Sequence, residues 1–111
     1  MARCNFIELP ASDLGATKSF YSSVFDWELT DFGPSYSCTM TGDVDLGLQG
    51  SVADATRAPL AVIAVDDLDH ALAAVERAGG TITKPIFAFP GGRRFHFRDP
   101  SGNELAAWKA D

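Results

Sequence analysis

Cysteine is scarce in this chain: Cys4 and Cys38 stand alone, without a Cys-x-x-Cys spacing. They cannot form a disulfide framework, and both read as small apolar residues of a reducing compartment. The cytoplasm is therefore the expected location. Long apolar runs are missing too. No stretch approaches the roughly 18 apolar residues that a membrane span needs, and Met1-Ala2-Arg3-Cys4-Asn5 does not lead into the apolar run of a signal peptide. Neither a membrane span nor export is expected. Positive charge is sparse, with 9 Lys and Arg against 15 Asp and Glu and a net charge of −6. Only Arg93, Arg94 and Arg98 gather, which disfavours nucleic acid, because phosphate binding needs a basic footprint that releases counterions. The acidic balance reads as a solubility device. Histidine occurs twice, as His70 and His96, and there is no Gly-x-Ser-x-Gly and no Cys beside a His. No nucleophile with an activating partner can be read from the sequence.

What is present is enough for one domain of 111 residues. At this length roughly two-thirds of the unfolded chain's surface can be buried, so the core needs neither disulfide nor metal to close. Phe6 to Leu9 is a short β-like run. Pro10-Ala11-Ser12-Asp13 ends it and offers a helix N-cap oxygen. Leu14, Thr17, Tyr21 and Val24 then recur on one helical face, widened by Phe20 and Phe25, so this face is expected to seek a core. Three strands are expected next, at Trp27 to Phe32, Tyr36 to Met40 and Val44 to Gln49, separated by Gly33-Pro34 and Gly42-Asp43. Connections this short require antiparallel hairpins.

After Gly50 to Pro59, which has no hydrophobic period, the same grammar restarts. Leu60 to Val65 reads as a strand, and Asp66 or Asp67 as the cap of a second helix. That helix shows Leu68, Ala71, Leu72, Val75 and Ala78 on one face and ends at Gly79-Gly80. Strands follow at Thr81 to Pro85, Arg94 to Arg98 and Glu104 to Trp108. Asp13-Leu14 superimposes on Asp67-Leu68, so each half reads strand, helix, three strands. Such a repeat speaks first of architecture, since each half alone leaves a sheet face uncovered. The expected class is α+β, one domain over 1–111, with module one at 1–50, a linker at 51–59 and module two at 60–111. Asp99, Pro100 and Gly102 occupy the first, second and fourth places of a type I turn, which gives Asp99 a structural role.

Ser12-Asp13-Leu14 with Phe20-Tyr21 and Phe25-Asp26-Trp27, then Val65-Asp66-Asp67-Leu68, and finally Phe97-Arg98-Asp99-Pro100-Ser101-Gly102-Asn103, occur in an order and spacing that resembles the glyoxalase and bleomycin-resistance (vicinal oxygen chelate) superfamily. The resemblance covers nearly the whole chain. It implies two βαβββ modules in a cupped mixed sheet, usually within a homodimer, with a cavity in the cup. It also implies, for the enzymes of the family, a divalent metal held by up to four side chains. The first of these positions falls on Phe6, the third on Leu60 and the fourth on Ala106, all apolar. The second falls near Leu48 or Gln49, where only the amide oxygen of Gln49 can contribute. One weak ligand does not hold a divalent ion. No cofactor is expected, and metal-dependent lyase or dioxygenase activity is disfavoured.

Other residues are candidates for a role in the cup. Glu8 alternates onto the face of Phe6, and Glu104 onto that of Ala106 and Trp108, unless strand-end curvature turns them to solvent. His96 lies on a strand whose neighbours Phe95 and Phe97 point the other way, a place that suits a hydrogen-bonded sheet residue or a general base. His70 sits among polar helix positions. Tyr36, Phe87, Phe89 and Trp108 supply aromatic surface. The ligand-binding set is thus Phe6, Glu8, Tyr36, Gln49, Leu60, His96, Glu104, Ala106 and Trp108. The expected function is metal-free binding of a small, partly apolar or aromatic molecule by a homodimer, the alternative an enzyme of the same superfamily with a non-standard site.

Overall fold

A computed structural model describes residues 2–111. Eight strands and two helices follow in the order β1 (Arg3–Pro10), α1 (Leu14–Phe25), β2 (Thr30–Asp31), β3 (Tyr36–Cys38), β4 (Asp45–Gln49), β5 (Leu60–Ala64), α2 (Leu68–Arg77), β6 (Thr81–Phe89), β7 (Gly92–Arg98) and β8 (Glu104–Ala110). The strand, helix, three-strand grammar therefore occurs twice, in an α+β fold with mixed sheet pairing. The residues group into two compact units, one of Phe6–Leu60 and the other of residues 2–5 with Ala61–Asp111.

In the first unit the strand order is β2-β3-β4-β1. The hairpin partners β2–β3 and β3–β4 are antiparallel, as short connections require, while β4 returns parallel to β1 with Glu8 opposite Gly47 and Pro10 opposite Gln49. Asp13 caps α1 by accepting from the Ala16 N–H at 3.0 Å. The helix ends at Asp26, whose φ of 59° is the left-handed conformation that Asp tolerates better than most residues.

Two sequence expectations fail in this unit. The apolar stripe of α1 was expected to enter a core, yet no α1 residue is buried. Leu14, Thr17 and Tyr21 are half-buried, whereas Phe20, Val24 and Phe25 are more than half exposed, because the stripe is wider than the contact α1 makes with β4. The strand expected over Trp27 to Phe32 shrinks to Thr30–Asp31. Trp27 turns back onto the helix end, its ring 5.6 Å from Tyr21 and 5.1 Å from Phe25, so the chain is committed to ring contacts before it can pair.

The second unit carries the better core. Its strand order is β5-β8-β7-β6, with β5 and β8 parallel and the other pairs antiparallel. Leu68, Phe95 and Ala107 are buried together, with Val65, Ala71, Leu72, Val75, Ile82, Ile86 and Phe97 packed around them. Of the α2 face read from the sequence, Leu68, Ala71, Leu72 and Val75 enter the core, whereas Ala78 caps the end of the helix and is exposed. Asp67, and not Asp66, caps this helix by accepting from the His70 N–H at 3.0 Å. The final turn is built as expected. Asp99 Oδ1 accepts from the Ser101 and Asn103 backbone N–H groups, and Gly102, at φ 88°, donates its N–H to the Asp99 carbonyl. These bonds, led by that from the Asn103 side chain, hold the Asp99 carboxyl below its ordinary pKa.

Strand β6 is longer than expected and irregular. It runs through Pro85, which an edge strand tolerates because no ladder hydrogen bond need be donated outward. Its register against β7 shifts twice, between Ile82 and Lys84 and between Lys84 and Phe87. Each shift inserts one extra residue, and such bulges re-aim side chains that strict alternation would send elsewhere. Ile82 faces the core, and after the first shift Lys84 lies opposite His96 on the other face.

Candidate functional site

In the first unit the sequence-predicted residues Phe6, Glu8 and Tyr36 meet around Gly47. Glu8 is only 1 % exposed, so the alternative that curvature turns it to solvent does not hold. Its Oε1 accepts from the Tyr36 hydroxyl at 2.8 Å. A Cβ added to Gly47 would strike the Tyr36 hydroxyl and lie 2.6 Å from Phe6 Cζ, so the absence of a side chain at 47 is what admits both rings. Gln49 is buried, and its Oε1 accepts from the Ser51 N–H at 2.9 Å, serving the loop that follows. An open depression of about 570 Å³ lies elsewhere on this unit, lined by Trp27, Met40 and Val44 among others; none of Phe6, Glu8, Tyr36 and Gln49 lines it.

In the second unit His96, Glu104, Ala106 and Trp108 share one face of β7 and β8, with His96 opposite Ala106 and Arg94 opposite Trp108. His96 is fully buried. Its Nδ1 is 3.1 Å from Glu104 Oε2, and the same oxygen accepts from the Thr83 hydroxyl at 3.1 Å. The Nε2 of His96 is buried with no hydrogen-bond partner among the described residues. Burial is the main cause that lowers the His96 pKa below the ordinary histidine value. The Arg94 and Lys84 charges act in the same direction, and Glu104 opposes them. The Phe87 ring stands 5.8 Å from the imidazole, and the Arg94 guanidinium lies 5.3 Å from the Phe87 centroid and 5.6 Å from that of Phe89. Phe89 also meets Trp108 at 6.1 Å, and Trp108 Nε1 donates to Asn5 Oδ1 at 3.0 Å. His70 is on the exposed face of α2, as read from the sequence.

Thr83, Lys84, Arg94 and Asn5 escaped the sequence reading. The strand alternation that singles out His96 and Glu104 cannot find Thr83, because a bulge breaks that alternation at its place. Pro85 inside a strand pattern is the one signal that hints at the irregularity.

The metal that the fold family implies can be tested against the residues present. The superposition of Asp13 on Asp67 sets Phe6 over Leu60. Glu8 pairs with Gly47 as Val62 pairs with Ala106, so the repeat counterpart of Ala106 is Gly47, two residues short of Gln49. Phe6, Gly47, Leu60 and Ala106 offer no donor atom on any side chain. The place of a Gly47 side chain is taken by the Phe6 and Tyr36 rings, and Leu60 and Ala106 are fully buried. Among the described residues no group of three or more His, Cys, Asp or Glu is placed to hold a metal ion. The side chains at these four positions supply no ligand for a divalent metal. No helix among them is long and apolar enough to cross a membrane, and Cys4 and Cys38 are both free.

Comparison with known proteins accords with this architecture. Residues 3–107 match the family model of the Glyoxalase/Bleomycin resistance protein/Dioxygenase superfamily. The "Putative glyoxylase CFP32" of Mycobacterium bovis is 30% identical over 118 residues, an alignment covering 96% of this chain and 45% of that protein. The chain thus spans about half the length of this curated relative. A superfamily member from Vibrio splendidus 12B01 has a similar structure, with a TM-score of 0.74 at 16% identity, covering 98% of this chain and 97% of the other. The Mn(II)-bound glyoxalase of Novosphingobium aromaticivorans gives a TM-score of 0.66 at 20% identity, covering 98% of this chain and 40% of that one. At such identities the structural likenesses speak for the fold, and the family match speaks for descent. On that match, this chain belongs to the glyoxalase/bleomycin resistance protein/dioxygenase superfamily.

Proposed function

We propose that this protein binds a small, partly apolar or aromatic molecule without a divalent metal, as a sequestering member of its superfamily and as a cytoplasmic homodimer. The observation that carries this reading is the face of the second unit on which Phe87 adjoins the buried His96, itself held by the half-buried Glu104, and the Phe89–Trp108 pair adds further aromatic surface. Aromatic walls with a few convergent polar groups are the usual make-up of small-molecule sites. The donor-free residues Phe6, Gly47, Leu60 and Ala106 support the metal-free part of it.

The test combines metal analysis of the purified protein with thermal melts against a panel of monocyclic aromatic compounds, with and without a chelator. The expected result is substoichiometric metal and a rise in Tm that the chelator leaves unchanged, since ligand binding to the native state alone raises stability by mass action. A stoichiometric divalent ion whose removal abolishes binding overturns the reading. A second reading, an enzyme of the superfamily with a non-standard site, is favoured by one observation, the imidazole held by a carboxylate. Turnover of the methylglyoxal–glutathione adduct that survives a chelator and is lost in His96→Gln would establish it.

A further inference from the structure

We propose that His96 Nε2 is a built hydrogen-bond acceptor, and that the face carrying it takes weakly acidic aromatic ligands, phenols and enols, through their O–H group. This inference rests on the small-molecule reading above and names the ligand class for it.

The argument starts from the other nitrogen. Nδ1 faces the carboxylate oxygen of Glu104 at 3.1 Å, and a carboxylate accepts, so the ring proton belongs on Nδ1. Glu104 is itself steadied by the Thr83 hydroxyl. In a neutral ring this leaves a bare lone pair on Nε2. The charged groups that face the ring are Arg94 on its own strand, Lys84 on β6 and Glu104 on β8. Burial, aided by two cations, outweighs the one carboxylate and holds the imidazole pKa below its ordinary value, so near neutral pH Nε2 is an acceptor.

A purely structural role explains this arrangement poorly. A buried polar atom left without a partner costs on the order of 1–3 kcal/mol, and a Phe or Leu at position 96 would avoid that cost. Two register shifts in β6 flank the residue, and the first brings the Thr83 hydroxyl to the carboxylate that orients the ring. Bulges gather where a strand must aim a side chain. The remaining wall is aromatic: Phe87 stands beside the imidazole on the edge strand, half-buried. A donor hydroxyl on an aromatic ring satisfies the lone pair and the wall together, whereas an ether of the same shape satisfies only the wall.

The test uses the full chain labelled with ¹⁵N and a matched pair of probes, 4-chlorophenol and 4-chloroanisole, which differ by one methyl on the oxygen. Long-range ¹H–¹⁵N correlation near neutral pH should show His96 with its proton on Nδ1. Titration should shift the Nε2 resonance with the phenol and favour the phenol by about tenfold, the worth of one hydrogen bond to a buried acceptor. In His96→Phe the two probes should bind alike. A proton on Nε2 in the wild-type protein overturns the inference whatever the variant does. Equal affinity of the wild type for both probes overturns it and leaves the small-molecule reading standing, while binding of neither at millimolar concentration overturns both.

Discussion

Replacing Tyr36 with Phe removes one oxygen and leaves the ring that packs by Gly47. The hydroxyl donates to Glu8 Oε1 at 2.8 Å, and Glu8 is 1 % exposed, so water cannot readily take the donor's place. A hydrogen bond in the interior is worth about 0.5–1.5 kcal/mol net, and leaving a buried acceptor short of a donor raises the loss toward about 1–3 kcal/mol. The greater apolarity of Phe offsets a small part of this. The expected cost is therefore about 1–2 kcal/mol, which for a chain of this size lowers Tm by roughly 4–8 °C. Urea unfolding followed by the fluorescence of Trp27 and Trp108 should show a lower midpoint with an unchanged slope. The decisive arm is the double-mutant cycle with Glu8→Leu, in which Tyr36→Phe should cost far less, giving a coupling energy of about 1 kcal/mol. If Tyr36→Phe costs under about 0.5 kcal/mol, or costs the same in both backgrounds, the hydrogen bond does not stabilise the first unit as argued.

Other outcomes follow from the same geometry. Leu68→Ala empties the centre of the second unit's core and should cost about 2–5 kcal/mol in urea unfolding, more than any single truncation on the exposed face of α1, such as Val24→Ala. Gly92→Ala would drive a Cβ into the Lys109 carbonyl of β8 and to within 3.2 Å of the Ala110 Cα, so it should lower stability by about 1–3 kcal/mol through strain that no side-chain rotation relieves. The depressed pKa of His96 makes stability pH-dependent: the unfolded chain binds this proton more readily, so stability is full above about pH 6.5 and falls as pH drops below it, by at most about 1.4 kcal/mol per unit. His96→Phe should flatten that limb and leave the decline below about pH 4, where Asp45 and Asp99, both held low by hydrogen bonds, take up protons.

The parts of the fold that were legible in the sequence are those fixed by local chemistry. Asp13 and Asp67 cap because an extended residue with a short acceptor satisfies the first turn of a helix, and Asp99-Pro100-Ser101-Gly102 turns because Pro and Gly preset its dihedrals. The repeat of these signals gave the strand, helix, three-strand order twice. Periodicity could not tell that α1 would bury only part of its stripe, since the width of the opposing surface is a tertiary property. Nor could it tell that Trp27 would stack on Tyr21 and forgo the strand. At the site, the apolar character of Phe6, Leu60 and Ala106 was plain from their spacing, but the second place of that set, Gly47, emerged only from the parallel register of β1 with β4.

The two units repeat one backbone plan but put their carboxyl groups to different uses, and the difference locates the chemistry. Asp45 precedes Gly47 by two residues, as Glu104 precedes Ala106, so the two carboxylates are counterparts. Asp45 accepts from Thr39, Thr41 and Gly42; although burial opposes it, these bonds hold its pKa low and tie the carboxylate to the hairpin loop. Glu104 instead accepts from Thr83 and His96 across two strands. What separates the units is the strand that completes each one, for β2 is two residues long whereas β6 is nine and carries both register shifts. Only the longer strand brings a hydroxyl to the carboxylate, and a cation and an aromatic ring to the imidazole that the carboxylate holds. Lengthening and bulging β6 is thus a sufficient physical route from a loop-fastening carboxylate to one that orients an imidazole, without any residue at the family's metal positions taking part.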